Sequence, residues 1–314
     1  MTILKQILEG TYDEDNKEFN PAIESIHSAY RAIGSKQWRN SLKDSPHGHP
    51  WFTSFHASYF PSDSVNNCAR KAVYTMAGFA SAEPFGPFTL NLFNMGKSIE
   101  LSLVSTWSDS GDLLSAKPSA DVQDIAVLKD YWLSCSVDAV IKHPKTKSPY
   151  VVEIKTKSDD VVTSMKSGIR KYDEQHMNQL LAQLSSFHGS SGFAWSDNGS
   201  ISSGSILYVS RSNISNVFEF KFDRDDDFFQ SGLKIIEEWK SYFERDVIPD
   251  RDADFQWSKG ECQSCKFKKS ICKPDLRDNN SVLSESHGVS FSDDIYDDGY
   301  DFNFVKKAIY DRWN

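Results

Sequence analysis

Apolar residues along this chain recur at two periods. In residues 17–43, Ile23, Ile26, Ala29, Tyr30 and Ile33 fall three or four apart, and this spacing predicts a helix. Pro and Gly in "DSPHGHPWF" then break the pattern. Helical spacing returns over 64–80, which carries Cys68, and over 92–107, which carries Glu100. "YWLSCSVDAVIKH" is rich in β-formers and alternates in part, so it predicts a strand over 131–142. "HPKTKSP" reads as a hairpin turn, and "YVVEIKTK" reads as the antiparallel partner strand. Further on, the pattern predicts a helix over 170–188, strands in "SGSILYVSRS" and "VFEFKFD", and a helix over 225–246. A cysteine-rich segment and an acidic tail follow, and no internal repeat is present. This order of elements predicts an α/β core with flanking helices.

One of these strands breaks its own rule. In "VVEIKTK", Val152 and Ile154 point one way while Glu153 and Lys155 point the other. Charge taken out of water costs several kcal/mol unless it is paired or bound to a metal. The strand therefore lies at an edge with one wet face, or its polar face is a site.

The chain has 314 residues, enough for one large domain or two, and 39% are hydrophobic, enough for a core. Aromatics at 13% exclude a mainly disordered protein. No run of 18 apolar residues predicts a membrane span, and "MTILKQILEG" lacks a signal-peptide pattern, so a cytoplasmic protein is expected, in the host cytoplasm if viral. The net charge of −9 counts against a general nucleic-acid binder. Basic segments ("KHPKTK", "CKFKKSICK") nevertheless interrupt the acidic background, and a metal-dependent nuclease needs acids at its centre.

Asp138 and Glu153 fall on the two predicted hairpin strands, where pairing can set them side by side. Neighbouring carboxylates repel, and a hard cation relieves the repulsion by taking their oxygens as ligands. Lys155 beside them is suited to orient a water or to offset charge at a phosphate. A surface hairpin with an ion pair is the alternative for Glu-x-Lys alone.

Asp in "SVDAVI" followed by Glu-x-Lys in "VVEIKTK" resembles the PD-(D/E)XK nuclease superfamily, with Val137 in place of the proline. "MGKSIE" supplies the Gly-x-x-x-Glu of the RecB-like branch as Gly96 and Glu100. "HMNQLLAQ" supplies its Gln as Gln179, but Gln183 stands where that branch has Tyr, which puts a DNA-contacting role for position 183 in question. The resemblance implies a restriction-endonuclease-like core, a mixed central sheet flanked by helices. It implies Mg²⁺ or Mn²⁺ held by Glu100, Asp138, Glu153 and the Ile154 carbonyl, with Lys155 as the catalytic lysine and Gln179 holding the lysine or a phosphate. His176 reads as structural.

Five cysteines and no export pattern argue against disulfides. "ECQSCKFKKSICKP" spaces Cys262, Cys265 and Cys272 as Cys-x2-Cys-x6-Cys, one ligand short of a four-thiolate site. Cys68 in "CARKAVY" resembles the upstream cysteine of iron–sulfur members of the same branch, such as the CRISPR-associated 4Fe–4S exonucleases and the AddB nuclease domain. That resemblance implies a [4Fe–4S] clasp on Cys68, Cys262, Cys265 and Cys272. A structural Zn²⁺ on the same thiolates is the alternative. Cys135 reads as core packing.

The expected organisation is a helical region at 1–60, a nuclease domain at 61–275 and an acidic tail at 276–314. The expected activity is exonucleolytic hydrolysis of DNA ends, single- or double-stranded, in recombination, repair or replication, in a phage-type or CRISPR-adaptation setting. The alternative is a DNA-binding protein, non-catalytic or endonucleolytic, with a structural cysteine site. Arg70, Lys71, Arg170, Lys171, Lys266, Lys268 and Lys269 are candidates for backbone contacts. His47 and His49 in "HGHP" read as a polar loop. The tail, with Phe291, Tyr296, Tyr300 and Phe302, reads as disordered or as a docking peptide for a replication or recombination partner.

Overall fold

The computed structural model describes residues 55–62, 68–76, 87–115, 125–188, 193, 195, 200–245, 247–249, 265 and 289–290. The helix predicted over 17–43, the His47 and His49 loop, Cys262, Cys272, Lys266, Lys268, Lys269 and the acidic tail lie outside the described residues.

In chain order the elements are β1 (Phe55–His56), a 3₁₀ turn (Ala57–Tyr59), α1 (Ala69–Met76), α2 (Pro87–Asp109), β2 (Leu113–Ser115) and β3 (Ile125–Leu128). A second 3₁₀ turn (Lys129–Tyr131), β4 (Leu133–Ser136), β5 (Ala139–Lys142), β6 (Pro149–Lys157), α3 (Asp159–Lys166) and α4 (Glu174–Phe187) follow. The series ends with β7 (Ser203–Ser210), β8 (Val217–Asp223), α5 (Asp226–Glu244), β9 (Val247–Ile248) and β10 (Val289–Ser290).

The main sheet runs β2-β5-β6-β7-β8, and only β6 with β7 pair in parallel. A parallel pair needs a crossover rather than a tight turn, and α3 and α4 provide it. This is the mixed α/β architecture expected from the sequence. β6 lies inside the sheet, so the wet-edge reading of "VVEIKTK" fails, and Glu153 is buried on a central strand.

The strand predicted over 131–142 is two strands. Leu133–Ser136 pairs with β3 and β1 in a separate three-stranded sheet, and Ala139–Lys142 pairs with β6. The chain changes sheets at Val137–Asp138, so Asp138 stands at the bend and not within a hairpin strand. The hairpin itself is present, with Ala139 opposite Val152 and Lys142 opposite Pro149.

β6 divides two apolar clusters. Val152 and Ile154 pack with Val104, Ala139 and Val209, against Ile99, Leu103 and Trp107 of α2. Val151 belongs to the larger cluster with Leu180, Leu181, Leu184 and Phe187 of α4. The face carrying Val151, Glu153, Lys155 and Lys157 thus meets α4, and the other meets α2. Gly96 lets α2 approach β6 closely, since a Cβ there would stand 3.3 Å from Thr156 Oγ1.

Candidate active site

Pairing between β5 and β6 stops at Ala139–Val152, and β6 runs on to Lys157 paired, among the described residues, only with β7. The free edge of β6 beyond Val152 is where the polar residues gather. The Ile154 N–H, left without a β5 partner, donates to Asp138 Oδ2 at 2.8 Å. In a strand the N–H and C=O of one residue face the same edge, so the Ile154 carbonyl opens towards the same gap as Asp138.

Glu153 is 1% exposed, and both its oxygens are engaged. Lys155 Nζ lies 2.6 Å from Oε1. Gln179 Nε2 donates to the same oxygen at 2.7 Å, while Gln179 Oε1 accepts from Lys155 Nζ at 3.0 Å. Gln183 Nε2 donates to Glu153 Oε2 at 2.6 Å and to the Ser136 carbonyl at 2.7 Å. A carboxylate and a carbonyl only accept, which fixes the amide orientation of both glutamines. Among the described residues Gln183 Oε1 is left buried without a partner, at a cost of about 1–3 kcal/mol.

α4 can present these groups because it buries two stripes. Leu180, Leu181, Leu184 and Phe187 join the core, while His176, Gln179 and Gln183, spaced three and four apart, form a polar stripe.

Burial, with the Glu153 charge next, holds the Asp138 carboxyl well above the usual carboxylate range. Burial works against the charge of Lys155, but Glu153 and Asp138 outweigh it, and the amine lies above its ordinary value. The acids outnumber the one ammonium among them. Glu100 acts on both Asp138 and Lys155 electrostatically, but its carboxylate bonds Lys97 Nζ at 2.6 Å. Among the described residues no three carboxylate, imidazole or thiol groups stand together at metal-ligand distance. The structure thus brings Asp138, Glu153, Lys155 and Gln179 together and leaves Glu100 at the margin.

Further groups close around the site in ways the sequence reading did not assign. Gln183 is fully buried and holds Glu153. His56 is half-buried at the end of β1, where Nδ1 accepts the Ser58 N–H at 3.2 Å and Nε2 lies 3.4 Å from Ser136 Oγ. Burial, opposed by Glu153, keeps the His56 pKa below the usual range. Beyond Lys155, Lys157 Nζ pairs with Asp173 Oδ2 at 2.5 Å, and His176 Nδ1 meets the Tyr208 hydroxyl at 2.9 Å. Burial and the two lysines hold His176 neutral, its pKa pushed down to about 3.

The remaining candidates are dispersed. Arg70 Nε donates to the Pro249 carbonyl at 3.0 Å, which ties α1 to the segment after β9. Lys71 Nζ lies 5.6 Å from the Tyr59 ring. Arg170 and Lys171 are exposed between α3 and α4. Cys68 directly precedes α1 and accepts the Ala72 amide at 3.1 Å, and Cys265 packs partly buried against the main core. Cys135 is buried 3.1 Å from Ser186 Oγ, its thiol raised by burial to about 12, in keeping with a packing role.

Among the described residues no helix is long and apolar enough to cross a membrane. No family model matches the chain, and no curated protein does. Among solved structures, LHK-Exo in complex with dAMP is similar at a TM-score of 0.42 and 11% identity, covering 62% of this chain and 92% of that one. A second is an alkaline exonuclease (LHK-Exo) from Laribacter hongkongensis, at a TM-score of 0.41 and 12% identity, covering 62% and 90%. At these values the likeness carries no functional argument, and the functional reading rests on the site's own geometry.

Proposed function

We propose that this chain is a Mg²⁺- or Mn²⁺-dependent deoxyribonuclease that hydrolyses phosphodiester bonds at DNA ends. The observation that carries the reading is the interlocked group of Asp138, Glu153, Lys155 and Gln179 at the unpaired edge of a central strand.

The donor chemistry fits a hard divalent ion. Asp138 keeps one carboxylate oxygen without a hydrogen bond among the described residues, beside Glu153 and the Ile154 carbonyl, and all are oxygen ligands of the kind such ions take. Glu100 would join them by turning from Lys97. When bound, the ion supplies Lewis acidity and lowers the pKa of its water. The chain's own residues do the rest. Lys155 orients the attacking water and faces the phosphate. Gln179 holds the amine against Glu153 and fixes where it stands. Burial under α4 keeps Glu153 from reorienting.

The cysteine clasp belongs to the same proposal. The spacing of Cys262, Cys265 and Cys272, with Cys68 ahead of α1, supports a [4Fe–4S] cluster, with Zn²⁺ as the alternative. Protein purified without oxygen is expected to be brown, with broad visible absorption. A colourless protein carrying stoichiometric zinc would select the alternative.

End-labelled linear DNA and closed circular DNA, each incubated with Mg²⁺ or Mn²⁺, test the activity. Loss of the linear form alone is expected. Loss of both would make the enzyme an endonuclease. Survival of both would leave a non-catalytic DNA-binding protein and overturn the proposal.

A further inference from the structure

The polar stripe of α4 does not end at Gln179. One turn nearer the helix start, His176 lies over the same strand face, and nothing in the proposed chemistry uses it. Tyr208 sits on β7 at the register of Lys155. Its oxygen accepts the Asp173 N–H at 3.1 Å, and it lies 2.9 Å from His176 Nδ1.

These contacts admit the tautomer that an anion would need. The Tyr208 oxygen accepts the Asp173 amide, and its hydroxyl hydrogen can point at Nδ1, which puts the ring's hydrogen on Nε2. In the other tautomer Nδ1–H donates to the same Tyr208 oxygen and Nε2 is an acceptor. Asp173 Oδ2 stands 3.5 Å from Nδ1, too long for a good hydrogen bond, and pairs with Lys157 Nζ at 2.5 Å. A phosphate oxygen only accepts, so its arrival at the ring selects the tautomer with Nδ1 as acceptor and the hydrogen on Nε2. Nε2 has no hydrogen-bond partner among the described residues, and the His176 side chain is 18% exposed. Lys155 and Lys157 both act on the ring electrostatically. An anion reaching Nε2 thus meets a neutral ring that can donate to it, within the field of two ammonium groups.

We propose that His176, through Nε2–H, binds the backbone phosphate adjoining the one that is cut. The inference rests on the nuclease reading and extends it by a substrate subsite. Strand geometry supports the placement, since Lys157 follows Lys155 by about 7 Å along β6, and His176 faces that interval. Tyr208 and Asp173 are positioning residues that hold the imidazole in place through Nδ1.

The test uses the full chain and DNA duplexes carrying one neutral methylphosphonate at the linkage next to the scissile one. Wild-type cleavage of the modified duplex is expected to fall about tenfold in kcat/KM, the scale of a lost hydrogen bond to a charged group. In His176→Ala, KM for the unmodified duplex rises about tenfold, kcat falls less than about threefold, and the methylphosphonate penalty shrinks to about twofold or less. His176→Gln carries an amide donor near the Nε2 position and is expected to restore both KM and the penalty. A purely structural histidine would lower kcat or stability and leave the penalty at its wild-type size in both variants, which overturns the inference. A wild-type protein that cleaves no unmodified duplex removes the nuclease reading itself. Cleavage with an unchanged penalty removes this subsite alone.

Discussion

Lys155→Ala is expected to lower the rate of DNA cleavage by about a thousandfold, the combined scale of losing a charge-stabilising donor and a proton-handling group. Among the described residues the amine is the one positive group within hydrogen-bond reach of Glu153, and it also acts on Asp138. Its removal leaves a buried carboxylate with only glutamine donors, which destabilises the fold by about 3–5 kcal/mol before relaxation. Loss of activity through unfolding must therefore be told apart from loss of chemistry. Lys155→Arg does this. Arginine keeps the charge beside Glu153, so urea denaturation should show most of the stability restored. Its guanidinium cannot give up a proton in the working pH range, so cleavage stays at least a hundredfold down while binding to end-labelled DNA survives. An arginine variant that cleaves at the wild-type rate would mean that Lys155 only balances charge.

The dependence of that prediction on Lys155 was legible in the sequence, since an acid and an amine two apart on an otherwise apolar strand call for a reason. What the sequence hid is how the strand is placed. "VVEIKTK" is equally compatible with an edge and with a central position until β7 and β8 are known to extend the sheet beyond it. The break at Val137–Asp138 was hidden for a similar reason. Leu133, Cys135, Val137, Ala139 and Val140 are all buried, so no change of period marks the passage from one sheet to the other, and no Gly or Pro stands at the bend. Helix α3 was missed although its signals were present. Ser158 stands at the N-cap position, Asp159 and Asp160 lie in the first turn, and Gly168 follows the end with a φ of +73°. Helices α2 and α5 were legible because their lengths allow periodicity to accumulate. Gln183 was visible only as a departure from a tyrosine. Its spacing of four from Gln179 and seven from His176 was the available signal that it shares their face.

That shared face gives Gln183 the second large expected effect. Gln183→Leu keeps the volume and the apolar packing of α4 but removes the donor to Glu153 Oε2 and to the Ser136 carbonyl. A lost hydrogen bond to a buried charge costs about 1.5–3 kcal/mol, and removal of the unpartnered Gln183 Oε1 returns part of it. The net fall in stability is therefore modest, about 1–2 kcal/mol, while the effect on the site is larger. With Oε2 unheld, the Glu153 carboxylate can swing away from Asp138. Residues that orient a metal-binding carboxylate in this way typically contribute tenfold to a hundredfold to affinity or activity. The expected result is cleavage reduced about tenfold to a hundredfold at limiting Mn²⁺, with the half-saturating Mn²⁺ concentration raised by a similar factor and the rate largely recovered when Mn²⁺ is abundant. Titrating Mn²⁺ against the cleavage rate of both proteins checks this. A variant that loses rate at all Mn²⁺ concentrations with an unchanged midpoint would assign Gln183 to the fold alone. Gln183→Glu sharpens the contrast, because it places a second carboxylate against Glu153 Oε2 and a carbonyl, where two acceptors meet and one must take up a proton. Its loss of activity should exceed that of the leucine variant even though its shape is closer to glutamine, since here the direction of the hydrogen bond matters more than the space it fills.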